Sequence, residues 1–200
     1  MAHLPLTILV RESFIQDELK ASSEIKLKVL STCTSQIAKS VDLIIKTFNQ
    51  NKKILLCGNG GSAADSQHIA TELVIRMSKK NRRALPAIAL TTDSSNLTAG
   101  GNDIGFENIF ARSIEALGQD GDILIAISTS GNSENIVRAI QMAKEKKLVV
   151  IGILGNDGGK CLNIVDCAIV VPSSDTQRIQ ESHITIGHII CGLIERELFS

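Results

Sequence analysis

The stretch Cys57–Glu72, CGNGGSAADSQHIATE, joins an apolar run to a glycine-rich turn and a helical pattern. The apolar run Ile54–Cys57 has no polar face, as expected for a parallel strand that is buried on both sides. Gly58–Ser62 then supplies turn residues, and His68 and Glu72 follow at the spacing of one helix face. This order of strand, glycine-rich loop and helix predicts an α/β fold that binds a ligand at the loop.

The same alternation continues along the chain. Residues up to about Gln50 have apolar side chains at helical spacing and no strand pattern, whereas short β-rich runs alternate with helical patterns from Lys53 onward. The predicted strands are Ile54–Cys57, Ala87–Thr91, Ile123–Ser128, Leu148–Leu154 and Ala168–Val171. The predicted helices after Gln50 are Ser62–Met77, Glu107–Leu117, Ser133–Lys146 and Thr176–Leu198.

We therefore expect a single domain over residues 1–200, with an N-terminal helical segment (1–50) and an α/β core (51–200). The core is predicted to be a three-layer α-β-α sandwich around a five-stranded parallel sheet. The predicted loops with strong turn chemistry are Gly58–Ser62, Thr92–Ser95, Gly100–Gly105, Ser128–Ser133 and Asn156–Gly159.

Composition restricts the classes of partner. The 21 basic and 21 acidic residues cancel, and no long run of basic residues is available for a phosphate backbone. The chain has no Trp or Tyr and five Phe, so it offers little aromatic surface for stacking. These features argue against nucleic acid as the main partner and indicate a site that relies on hydrogen bonds and charge.

Cysteine usage and hydropathy point to the cytoplasm. The five cysteines form no CxxC pair, and most have apolar neighbours, as is typical of a reducing compartment. The apolar run Leu4–Val10 lacks both a preceding basic region and a following cleavage site, and no stretch approaches the roughly 20 apolar residues of a membrane span. We expect an unsecreted protein without a membrane segment.

Two loops at predicted strand ends carry ligand-binding chemistry. The glycine loop is Gly58–Ser62, and the hydroxyl loop is Ser128–Ser133, which places four hydroxyls in six residues. The alternative is an ordinary turn in which Ser130 or Ser133 caps the next helix. Two such loops at strand ends favour a phosphate ligand, and neither has the Gly-Lys-Ser/Thr ending of a Walker A loop.

The glycine loop also satisfies the dinucleotide pattern G-x-G-x-x-A at Gly58, Gly60 and Ala63. That pattern expects an acidic residue about 20 positions further on, at the end of the second strand. The nearest candidate, Asp93, lies much further along the chain. The sequence therefore disfavours a dinucleotide.

Three histidines are candidate site residues. His68 and Glu72 share a helix face just beyond the glycine loop, either as a solvated pair or as the reacting end of a sugar-phosphate site. His183 and His188 lie about 140° apart on the last predicted helix, so they do not both face one small site. Periodicity leaves open which of the two is functional, and a buried structural histidine is an alternative for either.

Four longer stretches resemble the phosphoheptose isomerases of the flavodoxin-like sugar isomerase (SIS) fold, and the resemblance extends from about Lys52 to Phe199. They are CGNGGSAADSQHIATEL, LTAGGNDIGFENIFAR, GDILIAISTSGNSENIVRAI and RIQESHITIGHIICGLIE. The resemblance implies isomerisation of D-sedoheptulose 7-phosphate to D-glycero-D-manno-heptose 7-phosphate through an enediol, as in lipopolysaccharide heptose biosynthesis. It also implies one zinc ion per subunit and a homotetramer.

The resemblance further implies residue roles. The positions that match the phosphate-binding set are Ser62, Ser128, Thr129, Ser130 and Ser133. The other positions that match the sugar-binding set are Asn59, Gly60, Gly61, Glu72, Arg76, Asn102, Asp103 and Gln180. The positions that match the zinc ligands are His68, Glu72, Gln180 and His188, with Glu72 and His188 also matching the acid–base pair.

Two features complicate this assignment. Some family members carry an acidic residue where this chain has Gln177, so any help that a carboxylate gives the acid–base pair there is absent or is supplied otherwise. A zinc-bound Glu72 also loses basicity, so it must leave the metal when substrate binds, or the acid and base roles are divided differently.

Two other functions within the same fold are alternatives. One is a non-catalytic SIS adaptor that binds a replication initiator protein, and the other is an isomerase of a different sugar phosphate. The adaptors lack the matching glutamate and histidine, so Glu72 and His188 favour catalysis.

Overall fold

The computed structural model describes residues 8–199 and begins with a helix of 42 residues, α1 (Ile8–Asn49). The predicted N-terminal helical segment is thus one continuous helix, and its first seven residues lie outside the described residues. Only the second half of α1 is buried, from Val29 to Phe48. Asn51, which has a φ of +56°, turns the chain after the helix.

Five parallel strands form one sheet in the order β2-β1-β3-β4-β5. The strands are β1 (Ile54–Cys57), β2 (Ala87–Ala89), β3 (Ile123–Ser128), β4 (Val149–Gly155) and β5 (Cys167–Val171). Their short, β-branched and apolar sequences suit a sheet that helices cover on both faces. The predicted five-stranded parallel sheet is confirmed, and the order is that of a flavodoxin-like sheet.

Helices cover both faces of the sheet. The five that follow α1 are α2 (Gly61–Val74), α3 (Ser94–Asp103), α4 (Ile109–Leu117), α5 (Glu134–Glu145) and α6 (Thr176–Leu198). α1, α2 and α6 share one apolar core with alternate strand residues such as Ile54 and Leu56. α4 and α5 share the other core with Leu55 and Cys57. The predicted three-layer sandwich is therefore confirmed.

α3 is the main departure from the sequence prediction. The predicted loop Thr92–Ser95 ends at Asp93, whose side chain accepts a hydrogen bond from an amide in the first turn of α3. The predicted loop Gly100–Gly105 is wrong for its first four residues, which complete this helix. An added Cβ on Gly100 would lie 3.0 Å from Cγ2 of Ile109, so the glycine allows α3 to pack closely against α4. The turn-like composition of this segment therefore did not predict the helix that Asp93 caps.

The sheet topology decides where a ligand can bind. β1 and β3 are neighbours, in register at Cys57 and Ala126, yet α2 and α5 leave them toward opposite faces of the sheet. In this class of fold, the crevice beyond the carboxyl ends of such strands is the binding site. The glycine loop and the hydroxyl loop both border that crevice. Within residues 8–199, no helix combines the length and apolar character that crossing a membrane requires.

Candidate active site

The glycine loop is a tight turn that opens α2. Gly60 has a φ of +54°, which favours glycine, and an added Cβ on Gly58 would lie 2.5 Å from the carbonyl oxygen of Ser62. The Ser62 amide donates to the Asn59 carbonyl at 2.9 Å. Because Gly61 begins α2, the positive dipole end of the helix lies at this loop. The loop therefore suits an anion.

The serine hydroxyls of the hydroxyl loop accept hydrogen bonds from the loop itself and can still donate to a ligand. Oγ of Ser128 accepts from the Gly131 amide, and Oγ of Ser130 accepts from the Asn132 amide, both at 3.1 Å. Each hydroxyl keeps its own O–H to donate to a ligand. Ser133 is the N-cap residue of α5, but its side chain makes no capping hydrogen bond. The capping role that was an alternative for Ser133 is therefore not observed.

Contacts from the loop between β4 and β5 fix the shape of the hydroxyl loop. Gly131 has a φ of +64°, and an added Cβ there would collide with the carbonyl of Gly158. The side-chain amide of Asn156 donates to the Thr129 carbonyl at 3.0 Å, and the Cys161 amide donates to the Gly131 carbonyl at 3.0 Å. The hydroxyls are thus held on a rigid turn.

A reciprocal pair of side-chain amides joins the two sides of the crevice. Asn59 donates to Asn135 at 2.9 Å, and Asn135, in the first turn of α5, donates back at 2.8 Å. Asn135 is 3% exposed. The sequence analysis assigned Asn59 to the sugar pocket and did not consider Asn135, because a pair 76 residues apart leaves no local signal.

Three of the four predicted zinc ligands converge between α2 and α6. Nε2 of His68 lies 3.2 Å from Oε1 of Glu72 and 2.9 Å from Nε2 of His188. The ligand atoms of these three residues, which we call the metal triad, all lie within 4.8 Å of one another. Two imidazoles and one carboxylate form the donor set of many catalytic zinc sites. The triad therefore fits a zinc ion, which would use the lone pairs of both facing ring nitrogens.

The two histidines of α6 have different environments. His183 is fully buried, and its Nε2 donates to the carbonyl of Leu154 at 3.0 Å. Burial lowers the pKa of His183 to about 4, so its ring is neutral at physiological pH. Helical periodicity left open which of these two histidines is functional. Packing places His188, and not His183, beside His68.

Gln180, the fourth predicted zinc ligand, is a residue of α6 whose side-chain amide lies against Gly61, the first residue of α2. An added Cβ on Gly61 would be 2.5 Å from Nε2 of Gln180, so the glycine is what admits the Gln180 amide. Gly61 therefore has a packing reason to lack a side chain. Gln180 stays a predicted ligand.

The other predicted sugar-binding residues are exposed. Arg76 follows the end of α2, and Asn102 and Asp103 end α3, where Asn102 donates to Asp103 at 2.6 Å. Asp103 also lines a cavity of about 260 Å³ against α4, together with Arg112. Within residues 8–199, no hydrogen bond or ion pair joins these three side chains to the metal triad. Their role in sugar binding stays a prediction.

Asp65 is a residue of the site region that the sequence analysis missed. It lies three residues before His68 on α2, and burial raises its pKa to about 6, an effect that the nearby His68 partly offsets. Among the described residues, one of its carboxylate oxygens is buried without a hydrogen-bond partner. The i, i+3 spacing of Asp65 and His68 was a signal that could have been noticed.

Glu195 is a buried carboxylate that the sequence did not reveal, and it holds the segment that follows α2. Glu195 of α6 accepts from the backbone amides of Met77–Lys79 at 2.8 to 2.9 Å and from Nε of Arg82 at 2.7 Å. Nη2 of Arg82 donates to the carbonyl of Glu72 at 2.6 Å. Burial raises the pKa of Glu195, but Arg82 and these amides outweigh burial and hold that pKa well below its usual range. The segment after α2 is thus tied to α6.

Comparison with known proteins gives consistent matches. Residues 19–155 match the family described as the SIS domain. A phosphoheptose isomerase of Clostridium acetobutylicum is 53% identical over 190 residues, covering 94% of this chain and 96% of that protein.

Solved structures agree with these sequence matches. A phosphoheptose isomerase from Francisella tularensis has a TM-score of 0.90 at 36% identity and covers 96% of this chain and 100% of that one. The phosphoheptose isomerase from Neisseria gonorrhoeae has a TM-score of 0.87 at 39% identity, with coverage of 92% and 98%. The chain therefore belongs to the phosphoheptose isomerase family of SIS-domain enzymes and acts as a sugar-phosphate isomerase.

Proposed function

We propose that the enzyme interconverts D-sedoheptulose 7-phosphate and D-glycero-D-manno-heptose 7-phosphate, as a step in heptose precursor biosynthesis. The observation that carries this proposal is the convergence of His68, Glu72 and His188 between α6 and α2, the helix that begins at the glycine loop. His68 lies seven residues beyond Gly61, a rise of about 10 Å along α2. An extended seven-carbon chain with a terminal phosphate can span that separation.

The phosphate end belongs at the two loops. The hydroxyls of Ser62, Ser128, Thr129, Ser130 and Ser133 provide neutral donors for a dianion, and the positive end of the α2 dipole favours its charge. Neutral donors bind phosphate without a fixed ion pair, so they also release it. This assignment matches the absence of a lysine from either loop sequence.

The reacting end belongs at the metal triad. Glu72 removes a proton from C1 of the ketose while His188 gives a proton to O2, which forms the enediol. Glu72 then delivers a proton to C2, and His188 takes the proton from O1, which yields the aldose. Zinc, when bound by His68, Glu72, Gln180 and His188, supplies Lewis-acid polarisation of the carbonyl. Glu72 acts as the carbon base, and Nε2 of His188 exchanges protons with the oxygens, only when these atoms are released from the metal.

Three further assignments accompany this function. We propose one domain over the whole chain, because β5 and α6 complete the sheet and the core beyond the matched SIS region. A cytoplasmic location is supported by five cysteines that are all unpaired and buried. A homotetramer is supported by exposed apolar side chains on α1, among them Phe14, Leu27 and Leu30.

The deciding experiment is an isomerase assay on purified protein with sedoheptulose 7-phosphate. We expect aldose formation that a chelator abolishes and added zinc restores. Five- and six-carbon ketose phosphates serve as competing substrates. Preference for one of these would replace the heptose assignment, and no product from any of them with zinc present would refute the proposed reaction.

A further inference from the structure

We propose that Asn135 is a positioning residue for sugar-phosphate binding, which acts through Asn59 to hold the glycine loop and the hydroxyl loop at a fixed separation. The inference rests on the proposed function, because it assumes that both loops bind the phosphate. No sequence motif and no comparison assigns a role to Asn135.

The two amides form a closed pair. Nδ2 of Asn59 lies 2.9 Å from Oδ1 of Asn135, and Nδ2 of Asn135 lies 2.8 Å from Oδ1 of Asn59. Asn135 is 3% exposed, whereas Asn59 is half-buried. Replacement of either residue by a hydrocarbon leaves the other amide partly desolvated and without a partner, which is more costly than the loss of an exposed hydrogen bond.

The sheet alone does not fix the crevice that the pair bridges. β1 and β3 are hydrogen-bonded only as far as Cys57 and Ala126, and the helices that follow pack on opposite faces of the sheet. Asn59 follows β1 by two residues, and Asn135 is the second residue of α5. The amide pair is therefore a direct connection between the two walls of the crevice beyond the strand ends.

Displacement of Asn59 is transmitted to the phosphate donors. The Ser62 amide donates to the Asn59 carbonyl at 2.9 Å, and Gly58 packs so closely on Ser62 that an added Cβ would lie 2.5 Å from the Ser62 carbonyl. The glycine loop consequently moves as one unit. A shift at Asn59 moves Ser62 and the first turn of α2 relative to Ser128 and Ser130.

A purely structural role predicts a different outcome from a positioning role. If the pair only satisfied two amides, its loss would lower stability and leave ligand affinity unchanged. If it sets the loop separation, its loss raises KM and the dissociation constant for phosphate while kcat changes less, because Glu72 lies about three turns beyond the start of α2 and His188 lies on α6.

The test is a double-mutant cycle of Asn59→Ala, Asn135→Ala and the double variant. Dissociation constants for inorganic phosphate and for the sugar phosphate are measured by calorimetry, along with kcat and KM. We expect Asn135→Ala to weaken phosphate binding roughly tenfold, as misplaced binding groups do. In the Asn59→Ala background, Asn135→Ala should have almost no further effect. Ile140→Val, a buried control on the same helix, should lower stability slightly and leave phosphate binding unchanged.

Each outcome has a defined meaning. Additive losses would show that Asn135 contacts the ligand directly, and unchanged affinity in Asn135→Ala would show a structural role, so either overturns the proposal. If Asn135→Ala does not fold, Asn59→Ala tests the same pair from its less buried side, and unchanged phosphate affinity in that variant overturns the proposal. Wild-type protein that binds phosphate but does not isomerise the heptose phosphate refutes the proposed reaction alone, whereas failure to bind phosphate overturns both.

Discussion

At the scale of the residue, the sequence shows the chemistry of each side chain but does not show the environment in which that side chain lies. His183 and His188 are both histidines on one helix, yet one is buried against the Leu154 carbonyl and the other faces His68. Burial lowers the pKa of His183 to about 4 and leaves it a neutral hydrogen-bond donor. The role of a titratable residue therefore depends on the surface around it.

The first prediction concerns Glu72. Glu72→Gln removes the proposed carbon base while keeping the size of the side chain, so we expect kcat to fall by about 10²- to 10⁴-fold. Binding of the sugar phosphate should change little, because the phosphate contacts lie at the loops. Steady-state kinetics and calorimetry measure the two effects, with bound zinc determined in parallel. Glu197→Gln, an exposed change on α6, is the control, and near-normal turnover of Glu72→Gln would refute the assignment.

The second prediction concerns Gly61. Gly61→Ala adds a Cβ whose three nearest atoms belong to the flexible end of Gln180, so the protein should fold with nearly unchanged stability. The displaced Gln180 amide can then no longer reach the proposed zinc site. We therefore expect zinc affinity to fall roughly tenfold, as it does when residues around a bound metal are changed. A competition titration with a chelator gives the affinity.

The matched control for this change is Gly101→Ala. Gly101 is also a helical glycine, but an added Cβ there meets nothing within 4 Å. It should leave zinc affinity unchanged. Unaltered zinc affinity in Gly61→Ala as well would remove Gln180 from the metal site.

At the scale of the element, the sequence patterns predicted strands and long helices well and capped or braced segments poorly. α3 was missed because Asp93, Gly100 and Gly101 have the composition of a turn, and only the close packing of Gly100 on α4 shows why glycine suits this helix. The hydrogen bonds between Glu195 and the segment after α2 join residues more than 100 positions apart, so no local sequence pattern predicts them.

The third prediction concerns these hydrogen bonds of Glu195. Glu195→Gln leaves the Arg82 guanidinium buried without its counter-ion, so we expect a loss of about 3 to 5 kcal/mol in the free energy of unfolding at neutral pH. Urea unfolding measures the loss. Glu197→Gln, two residues further on and exposed, should cost almost nothing.

The same pair of proteins gives a pH signature. The pKa of Glu195 is lower in the folded state than its ordinary value of 4.5, so its contribution is complete above that value and is lost as pH falls toward the folded-state pKa. The difference in stability between wild type and Glu195→Gln should therefore shrink below about pH 4.5. A difference that stays constant with pH would contradict an ionised Glu195.

At the scale of the whole molecule, α1 has more apolar surface than one chain covers. Leu27 and Leu30 are 64% and 67% exposed, and a groove of about 330 Å³ between α1 and α6 is lined by Val29, Ile37 and Ile189. In the proposed tetramer, a second copy of the chain covers this groove.

The fourth prediction follows from that surface. Leu27→Glu combined with Leu30→Glu places charge in the proposed contact, so we expect a smaller assembly by size-exclusion chromatography with light scattering. Thr32→Glu, which adds one negative charge on another side of α1, should leave the mass unchanged. An unchanged mass in the double leucine variant would exclude this face as the contact.

The sequence by itself determined the layer architecture, all five strands, the glycine and hydroxyl loops, and the resemblance that led to the family. These features depend on short-range patterns of apolar, glycine and hydroxyl residues, which any local window of the chain contains. Tertiary structure alone decided that His183 is buried against the Leu154 carbonyl, that Asn59 pairs with Asn135 across the crevice, and that Glu195 fixes the segment after α2. The physical reason is that burial, pairing and desolvation are properties of surfaces that come together only when distant parts of the chain pack.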